Sequence, residues 1–176
     1  MGVHLVTTKS VNFDDDLPDM MKASDPILGL INLARLKKVP LRKQYDSSNL
    51  ELTWSEINYV DSCLGRYKQV RRKFDFTDML ENFVTEGSNF CPNFDLCFVD
   101  EAQDLSPMQW DIAHLLDERS KRMYVAGDDD QAIYRWAGAD VDAFINLDGG
   151  SDTLSQSYRI PYSVHKVAEG IVKRIQ

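Results

Sequence analysis

Two short apolar runs, each breaking into an acidic loop, constrain this chain more than any other feature. Leu96-Cys97-Phe98-Val99 runs directly into Asp100-Glu101, and Met123-Tyr124-Val125-Ala126 ends at Gly127 before Asp128-Asp129-Asp130-Gln131. A short continuous apolar run is the pattern of a strand buried on both faces. Between the two runs, Ser106-Pro107 caps a helix with Trp110, Ala113 and Leu116 on one side. Strand, helix, strand in that order implies parallel strands joined by a crossover. The expected class is α/β. Residues 152–155 are read as a third strand, with a helical stretch around 130–145 before it. Pro161 opens a final amphipathic helix carrying Val164, Val167, Ala168, Ile171, Val172 and Ile175.

The first half has a different texture. Residues 1–24 hold an acidic patch (Asp14, Asp15, Asp16) and little periodicity, so they are read as a loop or frayed arm. Asp25-Pro26 starts a helix with Ile27, Leu30, Ile31 and Ala34 on its apolar face, closed by Lys37-Lys38 before Pro40. Residues 39–52 look like a polar loop. Thr53-Trp54-Ser55-Glu56 has the spacing of a capping box, and a long helix with the stripe Ile57, Val60, Leu64, Tyr67 follows. Its last turns carry Arg66, Lys68, Arg71, Arg72 and Lys73, a pattern that suits a solvated helix terminus better than a binding patch. A third helix, read as capped by Thr77 and ended by Gly87, places Met79, Leu80, Phe83 and Val84 inside.

Composition removes several classes. No apolar run approaches the ~20 residues of a membrane span, and the N-terminus has no signal-peptide pattern. Cys63, Cys91 and Cys97 form no CxxC pair, which argues for free thiols in a reducing compartment and against structural zinc. His4, His114 and His165 have no ligand spacing to them. Cys97, within an apolar run, is expected to be a buried small residue. Trp54 and Trp110 are expected to serve packing. The net charge of −8 is uneven: residues 1–74 hold 12 Lys/Arg and 9 Asp/Glu, residues 75–176 hold 8 and 19. Binding of nucleic acid by phosphate neutralisation alone is disfavoured for such a chain, whereas stacking on aromatic platforms is not.

The chemistry concentrates where the runs end. In open α/β sheets ligands bind beyond the carboxyl ends of the strands. Asp100 there suits a Mg2+ ion, which takes carboxylate and phosphate oxygens, and Glu101 suits polarisation of an attacking water. A polar loop that merely starts with acids has the same pattern. Gln131 offers an amide to a phosphate oxygen. The Asp triplet also suggests a calcium loop, but the twelfth position counted from Asp128 is Ala139 rather than Glu. Tyr134, Arg135 and Trp136 follow closely, as core or as a stacking platform for bases. In Leu154-Ser155-Gln156-Ser157-Tyr158-Arg159, Arg159 can contact transferring phosphate and Tyr158 can stack on a nucleobase, although a solvated surface Arg reads the same way.

Taken in order, four segments resemble the superfamily 1 DNA helicases of the UvrD/Rep/PcrA type. FDFTDML (74–80) is similar to that family's DF-x-DLL segment, VDEAQD (99–104) to its motif II, VAGDDDQAIYRWAGAD (125–140) to its motif III, and LSQSYR (154–159) to its motif IV. The resemblance implies a partial RecA-like P-loop motor domain with a parallel sheet, plus a helical inserted subdomain. Residues 25–74 would be the inserted helices, 75–150 the C-terminal half of the first motor domain, and 151–176 the start of the second. It implies ATP and Mg2+ as cofactors, with Asp100 as the metal ligand and Glu101 as the catalytic base. Gln131 and Arg159 would contact the γ-phosphate, Gln103 and Tyr158 would help to bind the nucleotide, and Tyr134 and Trp136 would meet bases of single-stranded DNA. It further implies 3′→5′ translocation, DNA duplex junctions as substrates, and a cytoplasmic protein, bacterial or phage-encoded.

The departures from the family pattern are specific. No GxxGxGK(S/T) phosphate loop is present, since Gly2 and Gly29 are the sole glycines before residue 60. Motif Ia is not recognisable, and motifs V and VI do not follow. In motif IV, Ser157 replaces the usual Asn, and Ile160-Pro161 replaces the Ser after Arg. The expectation is a helicase fragment that does not hydrolyse ATP alone and is completed by the remainder of the enzyme. Two other readings stay open: a non-enzymatic module that binds single-stranded DNA or a partner, and a Mg2+-dependent phosphohydrolase or nuclease using Asp100, Glu101, Asp104 and Asp128–Asp130.

Overall fold

The computed structural model describes residues 4–5, 26–154, 156 and 158–175. The expectations at Asp25, Ser155 and Ser157, and most of the 1–24 arm, fall outside them. Within the described residues the order is β1 (His4–Leu5), α1 (Pro26–Leu36), α2 (Leu41–Asp46), α3 (Trp54–Arg71), β2 (Lys73–Phe74), α4 (Phe76–Thr85), β3 (Cys97–Val99), α5 (Pro107–Glu118), β4 (Met123–Val125), α6 (Val141–Ile145) and α7 (Tyr162–Ile175). The fold is α/β. β3 and β4 pair in parallel with Cys97 opposite Met123 and Val99 opposite Val125, and α5 connects them. Contrary to the reading of residues 1–24 as an arm throughout, His4–Leu5 pairs in parallel with Lys73–Phe74.

The core sits on one side of β3 and β4. Ala102, Trp110 and Ala113 are buried there, with Val99, Leu105, Val125, Ala143 and Phe144 packed around them. α5 enters this core through the expected cap: the Ser106 hydroxyl accepts from Gln109 N–H, the Gln109 side chain accepts from Ser106 N–H, and Pro107 occupies the first turn. Trp110 is 4% exposed, and its Nε1 donates to the Asp140 carbonyl at 3.2 Å. The Asp140 amide in turn donates to the Leu105 carbonyl at 2.8 Å. These bonds anchor the far end of the loop after β4 against the turn after β3.

The opposite sheet face is open, which corrects the expectation of strands buried on both sides. Phe98 is 70% and Tyr124 52% exposed, their rings stacked at 5.5 Å. Cys97 is only half-buried. An apolar run has no period, so it cannot tell one covered face from two.

α3 forms as expected, capped by reciprocal Thr53–Glu56 bonds, and Ile57 is fully buried. Tyr67 at the far end of its stripe is exposed. The residues expected to form a polar loop hold α2, whose Arg42 pairs with Asp46 one turn on and lies over the rings of Tyr45 and Trp54. α4 is capped by Asp75, reciprocally with Asp78, rather than by Thr77, which is buried in the first turn. Met79 is exposed rather than inside.

The basic end of α3 is not wholly solvated either. Lys68 and Arg35 (from α1) both bind Asp75 and Asp78, and Arg35 also holds Glu81 at 2.7 Å. This network ties α1, α3 and α4 together. Burial pushes the Asp78 carboxyl up. The Lys68 hydrogen bond, the Asp75 backbone bond and the Arg35 charge outweigh that and hold it below the usual carboxylate range.

Residues 152–154 form no strand, and the helical stretch expected around 130–145 consists of two short 3-10 turns and α6. α7 forms as expected, but its apolar side is open, with Val164, Val167 and Ile171 all more than half exposed.

Candidate strand-end site

β3 stops because the chain turns sharply at Glu101, whose φ of 51° and ψ of 42° lie in the left-handed region. A non-glycine residue there costs about 1–3 kcal/mol unless its surroundings hold it. They do. The next amide, Ala102 N–H, donates to the Ala126 carbonyl at 3.0 Å, and Ala126 N–H donates to Val99 at 2.8 Å. The ladder therefore continues past both strand ends and fixes the two loops side by side.

Asp100 and Glu101 are exposed at this edge. Asp100 Oδ1 accepts from Glu101 N–H at 3.0 Å. Glu101 Oε2 accepts from Gln103 Nε2 at 2.8 Å. Asp104 lies beside them, one carboxylate oxygen buried without a hydrogen-bond partner. Burial and the nearby Glu101 charge raise its pKa above the usual carboxylate value, against a long hydrogen bond from Gln103 that favours ionisation.

The second loop begins at Gly127. A Cβ there would lie 2.6 Å from Gln103 Oε1 and 2.9 Å from Phe144 Cζ, so glycine is needed for close approach. Asp128 N–H donates to Gln103 Oε1 at 3.0 Å. The Asp128 carboxylate accepts from Asp130 N–H at 3.2 Å and from the Gln131 side chain. Gln131 is exposed on a single 3-10 turn. Tyr134 and Trp136 follow with ring centroids 6.4 Å apart and planes at 49°, Trp136 42% exposed. Between them Arg135 pairs with Asp142 at 3.6 Å.

The structure thus brings Asp100, Glu101, Gln103 and the Asp128–Gln131 loop to one edge. It does not bring Tyr158 and Arg159 into that edge's bonding. Tyr158 is 88% exposed, and Arg159 is exposed with no hydrogen bond or ion pair among the described residues. The buried bracing by Gln103 was not anticipated from sequence. No local pattern signals it, because it depends on a contact with Asp128 and on the room that Gly127 leaves where Gln103 arrives.

A family model for the UvrD/REP helicase N-terminal domain matches residues 10–150. The chain is similar to ATP-dependent DNA helicase PcrA of Leuconostoc citreum, 34% identical over 100 residues, which is 54% of this chain and 13% of that protein. PcrA of Staphylococcus aureus is 32% identical over 123 residues, 62% of this chain and 17% of that protein. A probable DNA helicase II homolog of Mycoplasma genitalium is 27% identical over 161 residues, 83% of this chain and 22% of that protein. The chain therefore spans less than a quarter of the length of these relatives. The family match covers both strand ends and the loops that Gln103 joins, and on that match this chain belongs to the UvrD/Rep helicase N-terminal domain family.

Proposed function

We propose that this chain is the part of an ATP-dependent DNA translocase that carries the carboxylates for nucleotide hydrolysis and the aromatic contacts to single-stranded DNA. The observation that carries the reading is the pair of loops at the carboxyl ends of adjacent parallel strands, with Asp100-Glu101 on one and Gln131 on the other. In this reading residues 25–74 are an inserted helical subdomain, 75–150 the C-terminal half of a RecA-like motor domain, and 151–176 the start of a second. Tyr158 and Arg159 then reach the nucleotide from that second domain, for adenine stacking and γ-phosphate contact.

Among the described residues no group of three or more His, Cys, Asp and Glu side chains could hold a metal. Mg2+ does not need one, because it is held by one or two carboxylates together with substrate phosphates and water. Asp100 fits that role: it is exposed, and the hydrogen bond at one of its oxygens leaves the other available. When bound, Mg2+ would neutralise charge on the phosphates. Glu101 presents one oxygen to Gln103 and keeps the other to accept a proton from an attacking water. Gln131 offers its amide to the phosphate on the same edge. A stand-alone nuclease is not favoured, because the Asp128 carboxylate is engaged within its own loop.

The phosphate loop is not in this chain, so the chain alone does not turn over ATP. It still quenches or shifts Trp fluorescence on binding an oligo-dT strand. Trp136→Ala weakens that binding roughly five- to 150-fold, the equivalent of about 1–3 kcal/mol of stacking. Fused behind a GxxGxGK(S/T) strand–loop–helix segment from a relative, the chain shows DNA-stimulated turnover that Glu101→Gln abolishes. Turnover by the unfused chain, lost in Glu101→Gln, would overturn the assignment of the missing loop as disabling. A folded fusion that binds oligo-dT without any turnover would favour a non-enzymatic DNA-binding module instead.

A further inference from the structure

Gln103 is 2% exposed, an amide placed in the core between two solvent-facing loops. A primary amide buried without hydrogen-bond partners is costly. Here each end is engaged. Nε2 donates to Glu101 Oε2 at 2.8 Å and more weakly to Asp104 Oδ2 at 3.4 Å, and Oε1 accepts from Asp128 N–H at 3.0 Å. One orientation of the amide satisfies this arrangement. A carboxylate accepts and a backbone N–H donates, so a flipped amide would oppose oxygen to oxygen on one side and N–H to N–H on the other.

We propose that Gln103 is a positioning residue: it locks the Glu101 carboxylate to the Asp128 backbone, so that the two strand-end loops respond as one body, and it does not itself touch nucleotide. The inference rests on reading Glu101 as the water-directing carboxylate. It replaces the expectation that Gln103 binds the nucleotide directly, since neither end of its amide is free. The link reaches further than Asp128. The Asp128 carbonyl accepts from Gln131 N–H at 3.0 Å, and the Asp128 carboxylate holds the Gln131 side chain. A displacement of the Glu101 carboxylate is therefore passed through one amide to the residue proposed to meet the phosphate.

The test uses two-dimensional 1H–15N spectra of this chain without nucleotide. Glu101→Gln turns a charge-assisted bond into a neutral one without touching Asp128. In the parent background it moves the Asp128 and Gln131 amide peaks. In a Gln103→Leu background the same substitution leaves them in place. Gln103→Leu alone speeds hydrogen exchange at Asp128 about ten-fold or more, while Ala102 and Ala126, which lie on the backbone ladder, keep their protection. If Gln103→Leu does not fold, a second pair reads the same link. Q103E sets a carboxylate against Glu101 and, at longer range, Asp104 and lowers the melting temperature, and adding E101Q restores a donor on the Glu101 side and recovers part of the loss. Equal Asp128 shifts in both backgrounds, no shift in the parent, or no recovery in the swapped pair would each overturn the proposal. Nucleotide is absent throughout, so failure of ATP turnover in the fusion leaves this result untouched. A broken link likewise leaves the Glu101 assignment to be judged by turnover.

Discussion

Gly127→Ala is the sharpest test of how tightly the two loops are packed. Its Cβ would lie 2.6 Å from Gln103 Oε1 and 2.9 and 3.1 Å from Phe144 Cζ and Cε2. Gln103 cannot give way cheaply, because moving its oxygen breaks the bond from Asp128 N–H. Phe144 packs against the core cluster. Overpacking of this kind costs about 1–3 kcal/mol. Loosening the Gln103–Asp128 bond adds about 1 kcal/mol. The stiffer unfolded chain of an alanine variant offsets about 0.4–1 kcal/mol. The net is a loss of about 1–3 kcal/mol. In a chain of this size each kcal/mol lowers the melting temperature by about 2–4 °C. The assay is urea denaturation followed by far-UV circular dichroism, with a thermal melt alongside. Stability equal to or above that of the parent would refute the packing argument, because it would require Gln103 and Phe144 to move aside freely.

Gly65→Ala serves as the opposite-sign control: Gly65 is exposed in the interior of α3 with nothing within 4 Å of an added Cβ, so the variant gains about 0.5–1 kcal/mol in the same denaturation assay. Arg35→Met removes the cation that Asp75, Asp78 and Glu81 share and leaves Lys68 to balance Asp75 and Asp78. Since these groups are only partly shielded from water, the expected loss is about 1–3 kcal/mol at neutral pH, read from the denaturation midpoint. The same variant changes the acid limb. The Asp78 carboxyl is held below its ordinary value, so its contribution is full above the ordinary carboxylate range and is lost as pH falls towards the depressed value. Arg35→Met therefore shows a shallower fall in stability on acidification, and an acid limb as steep as the parent's would count against the network.

Legibility followed the range of the interactions. The caps at Thr53 and Ser106 depend on a residue and its partner three positions on, and both form as their spacing predicts. The α4 cap depends on the same local rule, but Asp75 and Thr77 are both acceptable capping residues. The choice is made by Arg35 and Lys68, two cations from other helices that draw Asp75 and Asp78 together. No local pattern carries that. The same cations explain why the end of α3, basic in sequence, is not simply solvated. The positions of β3 and β4 were visible because an apolar run names itself, whereas β1 and β2 have no such run and the exposure of Phe98 and Tyr124 depends on what lies over them. At the site, Asp100 and Glu101 could be picked out by their place after a strand. The role of Gln103 could not, because it rests on a contact with Asp128, 25 residues away. A polar residue two positions after an exposed acid points to solvent in most turns. Here the left-handed backbone at Glu101 swings Gln103 inward, and the absence of a side chain at Gly127 gives it somewhere to go. Glu101 carries the unfavourable dihedral and Gly127 the missing Cβ, so neither residue alone discloses the brace. It becomes readable only when the parallel register of β3 and β4 sets the two strand ends side by side.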